Sequence, residues 1–303
     1  MEIQDICTPG LIVSQLFPNA RKSKGVYISA LQQAAKLNFY GAFEIAEVID
    51  PYERKEIRSF IKNEGMKLVY WLSFIQYDAG ISISAIDENE RLKAVGQLIE
   101  QIPKAFECGA DFIGFLSGPD VMIERRDFAK KQLKKSICEM ADTAKNIGQI
   151  DFLMEPLDRN AHKKHIIGPT NEAATFIYQL REWVPEMYLV YDVAHIKLLG
   201  EDPLESLSVA IDVMSEIHLA NCVDDPKSTL FGDNHMPIGE PGFLTSNYIN
   251  DLFNKGFALG FLGPSKPIVS PEVLCGSDED PWLIEKNGRE NLSDAVINFL
   301  DSL

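Results

Sequence analysis

Four ionisable residues each stand directly after an apolar run. Glu155 follows Phe152-Leu153-Met154, Asp192 follows Val190-Tyr191, His218 follows Ile217, and Glu272 closes Val269-Ser270-Pro271. A charge placed there alone would be costly to bury, and carboxylates aimed into one space would repel one another. A divalent cation removes both difficulties. Three carboxylates and one imidazole form a hard, oxygen-dominated donor set. It suits one ion, Mn²⁺ foremost, with Mg²⁺, Co²⁺ or Zn²⁺ also compatible. Any one of these residues read singly is an ordinary surface or ion-paired group. It is their recurrence on four successive strands that points to metal chemistry.

Something must bring residues spread from 155 to 272 together. Short apolar runs alternate with longer amphipathic ones along the whole chain. Predicted strands cover Leu11–Leu16, Phe43–Val48, Lys67–Phe74, Asp111–Leu116, Asp151–Leu157, Tyr188–Ala194, Glu216–Cys222 and Pro267–Leu274. Predicted helices cover Tyr27–Leu37, Tyr52–Asn63, Glu88–Cys108, Phe128–Asn146, Asn171–Trp183, Pro203–Met214, Leu244–Asn254 and Asn291–Leu303. Gly65 supplies a helix stop, and Asp202-Pro203 pairs an N-cap type with a proline suited to the first helical position. Leu189-Val190-Tyr191 and Ile268-Val269 are apolar on successive residues, as in strands covered on both faces. Eight strand–helix units in strict alternation predict a parallel α/β fold, a (β/α)₈ TIM barrel formed by residues 1–303 as one domain. An open doubly wound sheet usually carries a Gly-rich first turn, and none follows the first strand here. Barrel enzymes place reacting groups at the C-terminal ends of their strands, where the four residues fall.

Composition narrows the partners. The 303-residue chain has a formal net charge of −16, which repels nucleic-acid phosphates and anionic lipid surfaces. The five cysteines are scattered without a C-x-x-C pair, so reduced thiols in the cytosol are expected. The start Met-Glu-Ile-Gln-Asp does not read as a signal peptide, and no run approaches a bilayer span. A cytoplasmic protein acting on a small polyhydroxylated substrate is the expectation. Whether a second copy or a partner subunit completes the mouth stays open.

The series Glu155-Pro-Leu-Asp-Arg159, Asp192-x-x-His195, His218 and Glu272 resembles the xylose-isomerase-like superfamily of sugar isomerases and epimerases. That superfamily includes ketose 3-epimerases, hydroxypyruvate isomerase, inosose dehydratase and, more distantly, endonuclease IV. The resemblance implies a metal held by Glu155, Asp192, His218 and Glu272. It also implies that Glu155 and Glu272 act as an acid/base pair on opposite faces of a substrate carbon, and that His195 binds a substrate oxygen. The implied reaction is isomerisation or epimerisation of a sugar, keto-sugar or cyclitol through an enediolate. The alternatives are a lyase on the same scaffold, either an inosose-type dehydratase or an enzyme of β-elimination from a 3-keto-glycoside, and a binding protein without turnover. Two positions depart from the ketohexose epimerase pattern. Ala161 stands where those enzymes carry a sugar-contacting glutamate, and Asp224 where they carry an arginine.

A second constellation, Asp233-Asn234-His235, resembles the Asp-x-His loop of endonuclease IV. No histidine precedes His162, so that enzyme's trinuclear site cannot be assembled. His235 is therefore expected to handle substrate or move a proton. A second metal with Asp233 and His195, or plain packing, are the other readings. The run Arg159…His162-Lys163-Lys164-His165, in the loop after the fifth strand, could hold a carboxylate or phosphate group of a substrate. Glu44, Glu47 and Trp71 fall at the ends of the second and third strands, where Trp71 could wall a sugar ring.

Overall fold

A computed structural model describes residues 2–301 of the chain. Its strands are β1 (Thr8–Ile12), β2 (Ala42–Ile45), β3 (Lys67–Trp71), β4 (Phe112–Leu116), β5 (Asp151–Glu155), β6 (Met187–Asp192), β7 (Met214–Val223), β8 (Gly232–Met236) and β9 (Ile268–Glu272). The helices are α1 (Val13–Leu16), α2 (Val26–Ala35), α3 (Pro51–Glu64), α4 (Ser73–Ala79), α5 (Glu88–Ile99), α6 (Ile102–Cys108) and α7 (Arg126–Lys145), followed by α8 (Thr170–Leu180), α9 (Val193–Leu198), α10 (Pro203–Ala210), α11 (Ser246–Ala258) and α12 (Pro281–Asp301). Strands β1 to β7 and β9 pair in parallel around a closed ring. β9 lies between β7 and β1, and β6 pairs with β7, leaving no free edge in the ring. Eight parallel strands enclosed by helices make a TIM barrel, as expected. Among the described residues no helix is long and apolar enough to cross a membrane.

Local signals act where the sequence places them. Asp50 accepts from the Tyr52 N–H at the start of α3, Pro51 takes the first helical position, and Gly65 ends the helix at φ 65°. Asp202 and Pro203 open α10 in the same way. Departures from expectation have physical causes. The predicted first strand at Leu11–Leu16 is displaced: β1 begins at Thr8, and Val13–Leu16 turn into α1. Thr8-Pro9-Gly10 looks like turn punctuation, yet Gly10 faces a neighbour so closely that a Cβ there would lie 2.1 Å from Ser270 Oγ. The single helix predicted over Glu88–Cys108 is two, because Pro103 falls at the second position of α6 and cannot continue the ladder of α5. The last helix starts ten residues earlier than predicted, and the end of its predicted range, 302–303, lies outside the described residues. The segment around Asp233, expected as loop, is the antiparallel strand β8 on β7.

Two packed regions follow from the period-two alternation of the strands. One face of each strand meets the helices through residues such as Phe43, Leu68, Tyr70, Ile113, Phe152 and Leu189. The other face fills the barrel axis, where Ala42, Val69, Trp71, Leu153, Val190 and Ile268 form a separate apolar cluster. Two residues further along β2, β5 and β6 the same inward face presents Glu44, Glu155 and Asp192. The apolar plug therefore sits directly beneath the acidic mouth.

Candidate metal centre

The four residues predicted to share a cation converge. Glu155, Asp192, His218 and Glu272 are all buried, and one ligand atom from each lies within 4.8 Å of every other. His218 is the hub. Its Nδ1 is 3.0 Å from Glu155 Oε1 and 3.1 Å from Glu272 Oε2. Strand register sets the spacing, since Asp192 pairs with His218 across β6 and β7, and Ala220 pairs with Glu272 across β7 and β9.

The electrostatics of this cluster are consistent with a cation. Burial pushes the Asp192 carboxyl up to about 8; His195 opposes the rise, and Glu272 and Glu155 add to it. Glu272 behaves oppositely. Burial would raise it, but His235 and His218 hold it well below the usual carboxylate range. Burial disfavours a charged His218, yet Glu44 and Glu272 raise it well above an ordinary imidazole. Asp192 Oδ2 and Glu272 Oε2 are buried with no hydrogen-bond partner. Orphaned carboxylate oxygens converging on one imidazole nitrogen fit a divalent ion.

Several residues that sequence reasoning left without a role support the site. Gln15 on α1 donates through Nε2 to Glu272 Oε1 at 3.0 Å. Asp158 accepts from the backbone N–H groups of Ala161, His162 and Lys163, and its Oδ2 lies 3.3 Å from His195 Nδ1. On the inner side of His218, Nε2 lies 3.1 Å from Glu44 Oε2 and 3.5 Å from Glu216 Oε1. Glu44 also accepts the Trp71 indole N–H at 2.7 Å. Glu216 is fully buried; burial first, then Glu44, pushes its carboxyl well above the usual range. One signal could have found it. The side chain two positions before a strand-end ligand faces the same barrel interior, so a glutamate two before His218 is out of place among apolar neighbours.

The remaining expected residues fall in distinct places. His195 is buried beside the cluster, its backbone N–H capped by Asp192 Oδ1, with Nε2 3.5 Å from Asp233 Oδ2. His235 Nε2 lies 3.2 Å from Glu272 Oε1 and 3.3 Å from Asp233 Oδ2. Burial would lower its pKa, but Glu272 and then Asp233 raise it to about 9. His235 holds φ 48°, a left-handed conformation uncommon for histidine, beside a register shift in the β7–β8 pairing. Lys163 Nζ lies 3.3 Å from Asp233 Oδ2, so an ammonium already neutralises the carboxylate considered for a second metal. Arg159, expected as a substrate contact, pairs through its guanidinium with Glu172 on α8 at 2.7 Å and reaches the Ile166 carbonyl. Trp71 is 3% exposed, with its ring 5.5 Å from that of His218, so it forms floor rather than wall. Asp224, at the position of the expected arginine, pairs with Lys197 at 3.4 Å.

No curated protein sequence matches this chain. Among solved structures, an L-ribulose 3-epimerase shares 14% identity at a TM-score of 0.72, with 96% of each chain covered. A 3-keto-D-glucoside 4-epimerase from E. coli shares 17% identity at 0.65, covering 96% of this chain and 99% of that one. An IolI protein with a bound zinc atom shares 13% identity at 0.70, covering 97% and 98%. At these identities the likeness is one of fold. The family profile described as xylose isomerase-like TIM barrel matches residues 31–259, most of the ring and three of the four converging ligands, and the chain belongs to that family.

Proposed function

We propose that this protein is a divalent-metal-dependent isomerase or epimerase of a sugar, keto-sugar or cyclitol. The carrying observation is that Glu155 and Glu272 approach the same His218 nitrogen from different strands, with an oxygen of Glu272 left unpartnered. Glu155, Asp192, His218 and Glu272 would hold the ion, Mn²⁺ first among the candidates. When bound, it would polarise a carbonyl or hydroxyl oxygen of the substrate and stabilise negative charge beside it. One glutamate takes the proton from the adjacent carbon, the bonding pair moves into a new C=C bond, and the carbonyl π pair moves onto oxygen, giving an enediolate. The other returns a proton to the opposite face or to the neighbouring carbon. His235 and Gln15 orient Glu272, His195 offers a nitrogen to a substrate oxygen, and Trp71 closes the floor. Arg159, engaged by Glu172, supports the loop after β5 instead of touching substrate.

The family and the neighbours named as epimerases of ketoses and of a keto-glucoside support this substrate class. One observation favours elimination as the second reading. A His235 whose pKa is raised to about 9 carries a proton at neutral pH and could pass it to a leaving group. The test is incubation of the manganese-loaded protein in D₂O with a panel of ketoses, 3-keto-glycosides and inososes. Deuterium at the carbon next to a carbonyl, in an isomeric product, supports isomerisation. An unsaturated product with loss of water or an aglycone supports elimination. No exchange with any panel member, at full metal occupancy, removes the proposal.

A further inference from the structure

The structure assigns Glu44 to a positioning role: held by Trp71 and flanked by Glu216, it anchors the inner nitrogen of His218 so that Nδ1 faces the metal. This inference rests on the metal reading above and deepens it. An imidazole that ligates through Nδ1 must be neutral, with its remaining proton on Nε2. That N–H points into the barrel, is buried there with its ring, and needs an acceptor. Glu44 Oε2 stands 3.1 Å away. Glu44 cannot drift, because the Trp71 indole N–H binds the same oxygen at 2.7 Å. Trp71 is fixed in turn by Gly114, where an added Cβ would lie 2.5 Å from the indole ring.

Glu216 closes the other side. Its Oε1 lies 3.5 Å from Nε2, and neither of its oxygens has a hydrogen-bond partner. With carboxylates around both ring nitrogens, any flipped ring would put a C–H where an N–H or a metal bond is required. Glu44, Glu216 and His218 also bring ligand atoms within 4.8 Å of one another, so a second cation is the rival explanation. The anchor explains more of the geometry. The Glu44 to His218 spacing is already that of a hydrogen bond, and the Trp71 N–H holds the same Glu44 oxygen that faces Nε2.

The experiment measures zinc affinity by competition with a chromogenic chelator, zinc stoichiometry, and the ¹⁵N shifts of His218 in zinc-loaded protein. Wild type, Glu44→Gln, Glu44→Asp, Glu216→Gln and Trp71→Phe are compared. We expect one zinc per chain and a proton on Nε2 in wild type. Glu44→Gln should weaken binding about 10- to 100-fold. Trp71→Phe, which removes only the grip on Glu44, should weaken it less, and Glu44→Asp should recover part of the loss. Should Glu44→Gln fail to fold, Trp71→Phe carries the test through the same two readouts. Unchanged affinity and an unchanged Nε2 signal in Glu44→Gln and Trp71→Phe overturn the assignment. Two zinc ions in wild type and one in Glu216→Gln also overturn it, making the inner cluster a metal site in its own right. A wild type that binds no zinc, manganese or cobalt removes the metal reading first, and this inference with it.

Discussion

Gln15 donates a hydrogen bond to Glu272 across 257 positions of sequence, joining the first helix of the barrel to the end of its last strand. The amide touches Oε1, while Oε2 is the oxygen nearest His218 Nδ1. Each oxygen of this glutamate thus has its own task, and the closing seam of the barrel becomes part of the chemistry. Gln15→Ala should lower kcat roughly 10- to 100-fold, the usual worth of a hydrogen bond to a charged group, with metal content near that of wild type. Single-turnover exchange rates at matched metal occupancy are the check.

Glu272→Gln keeps size and one oxygen donor but cannot act as a base. Deuterium exchange at the carbon next to the carbonyl should fall at least about 10²- to 10⁴-fold in metal-loaded protein. His235→Ala should keep its metal and mainly weaken substrate handling. Exchange at the wild-type rate in Glu272→Gln would reassign the base to His235 or His195.

Metal binding should depend on pH with a definite sign. Burial holds the Asp192 carboxyl at about 8, above its ordinary 3.8, so below pH 8 the metal-free site keeps a proton that a cation must displace. Without metal, this group makes the fold less stable as pH rises from about 4 towards 8. With metal offered, affinity should strengthen up to about tenfold per unit over that range and level off beyond it. Calorimetric titrations from pH 6 to 9 would show the trend, and a flat profile would contradict it.

Fructose and psicose should be poor substrates even in saturating Mn²⁺. Ala161 offers only a methyl group where a sugar hydroxyl would need a polar partner, and Asp224 is engaged by Lys197. Two missing polar contacts correspond to about 10²-fold or more in kcat/KM. Measured interconversion of the two sugars at rates ordinary for an epimerase would show that other residues take over their recognition.

Gly114→Ala should destabilise the protein by about 1–3 kcal/mol through overpacking against Trp71. Zinc binding should weaken as well, because the displaced indole releases Glu44. Thermal unfolding and chelator competition on the same sample separate the two effects.

The ring and its four converging candidate ligands are legible in the sequence for one reason. Each ligand interrupts an apolar strand at its end, where burial makes a charge conspicuous. Less legible is whatever depends on direction. Glu216 lies inside a strand, and only knowing which alternate face looks inward reveals it as part of the site. Gln15 is a neutral amide on a four-residue helix, with no local pattern to mark it. Arg159 reads as a substrate contact from the basic run in which it stands, and its pairing with Glu172 on α8 is not visible there. The first strand is misplaced because Val13 and Leu16 are as apolar as strand residues while packing as a helical turn.

The β7–β8 ribbon divides what can vary from what cannot. β7 runs on past the ring to Val223, and β8 returns alongside it, so the strand of Asp233 and His235 is laddered onto the outer end of the strand that carries His218. Lengthening or shortening the tip between Asp224 and Phe231 would alter what the mouth meets without disturbing that ladder. A single residue inserted in β8 ahead of Asp233 would instead reverse the facing of Asp233 and His235 together. The tip is thus a place where new substrate preferences can be tried by changes in length, while the chemistry beneath stays in frame.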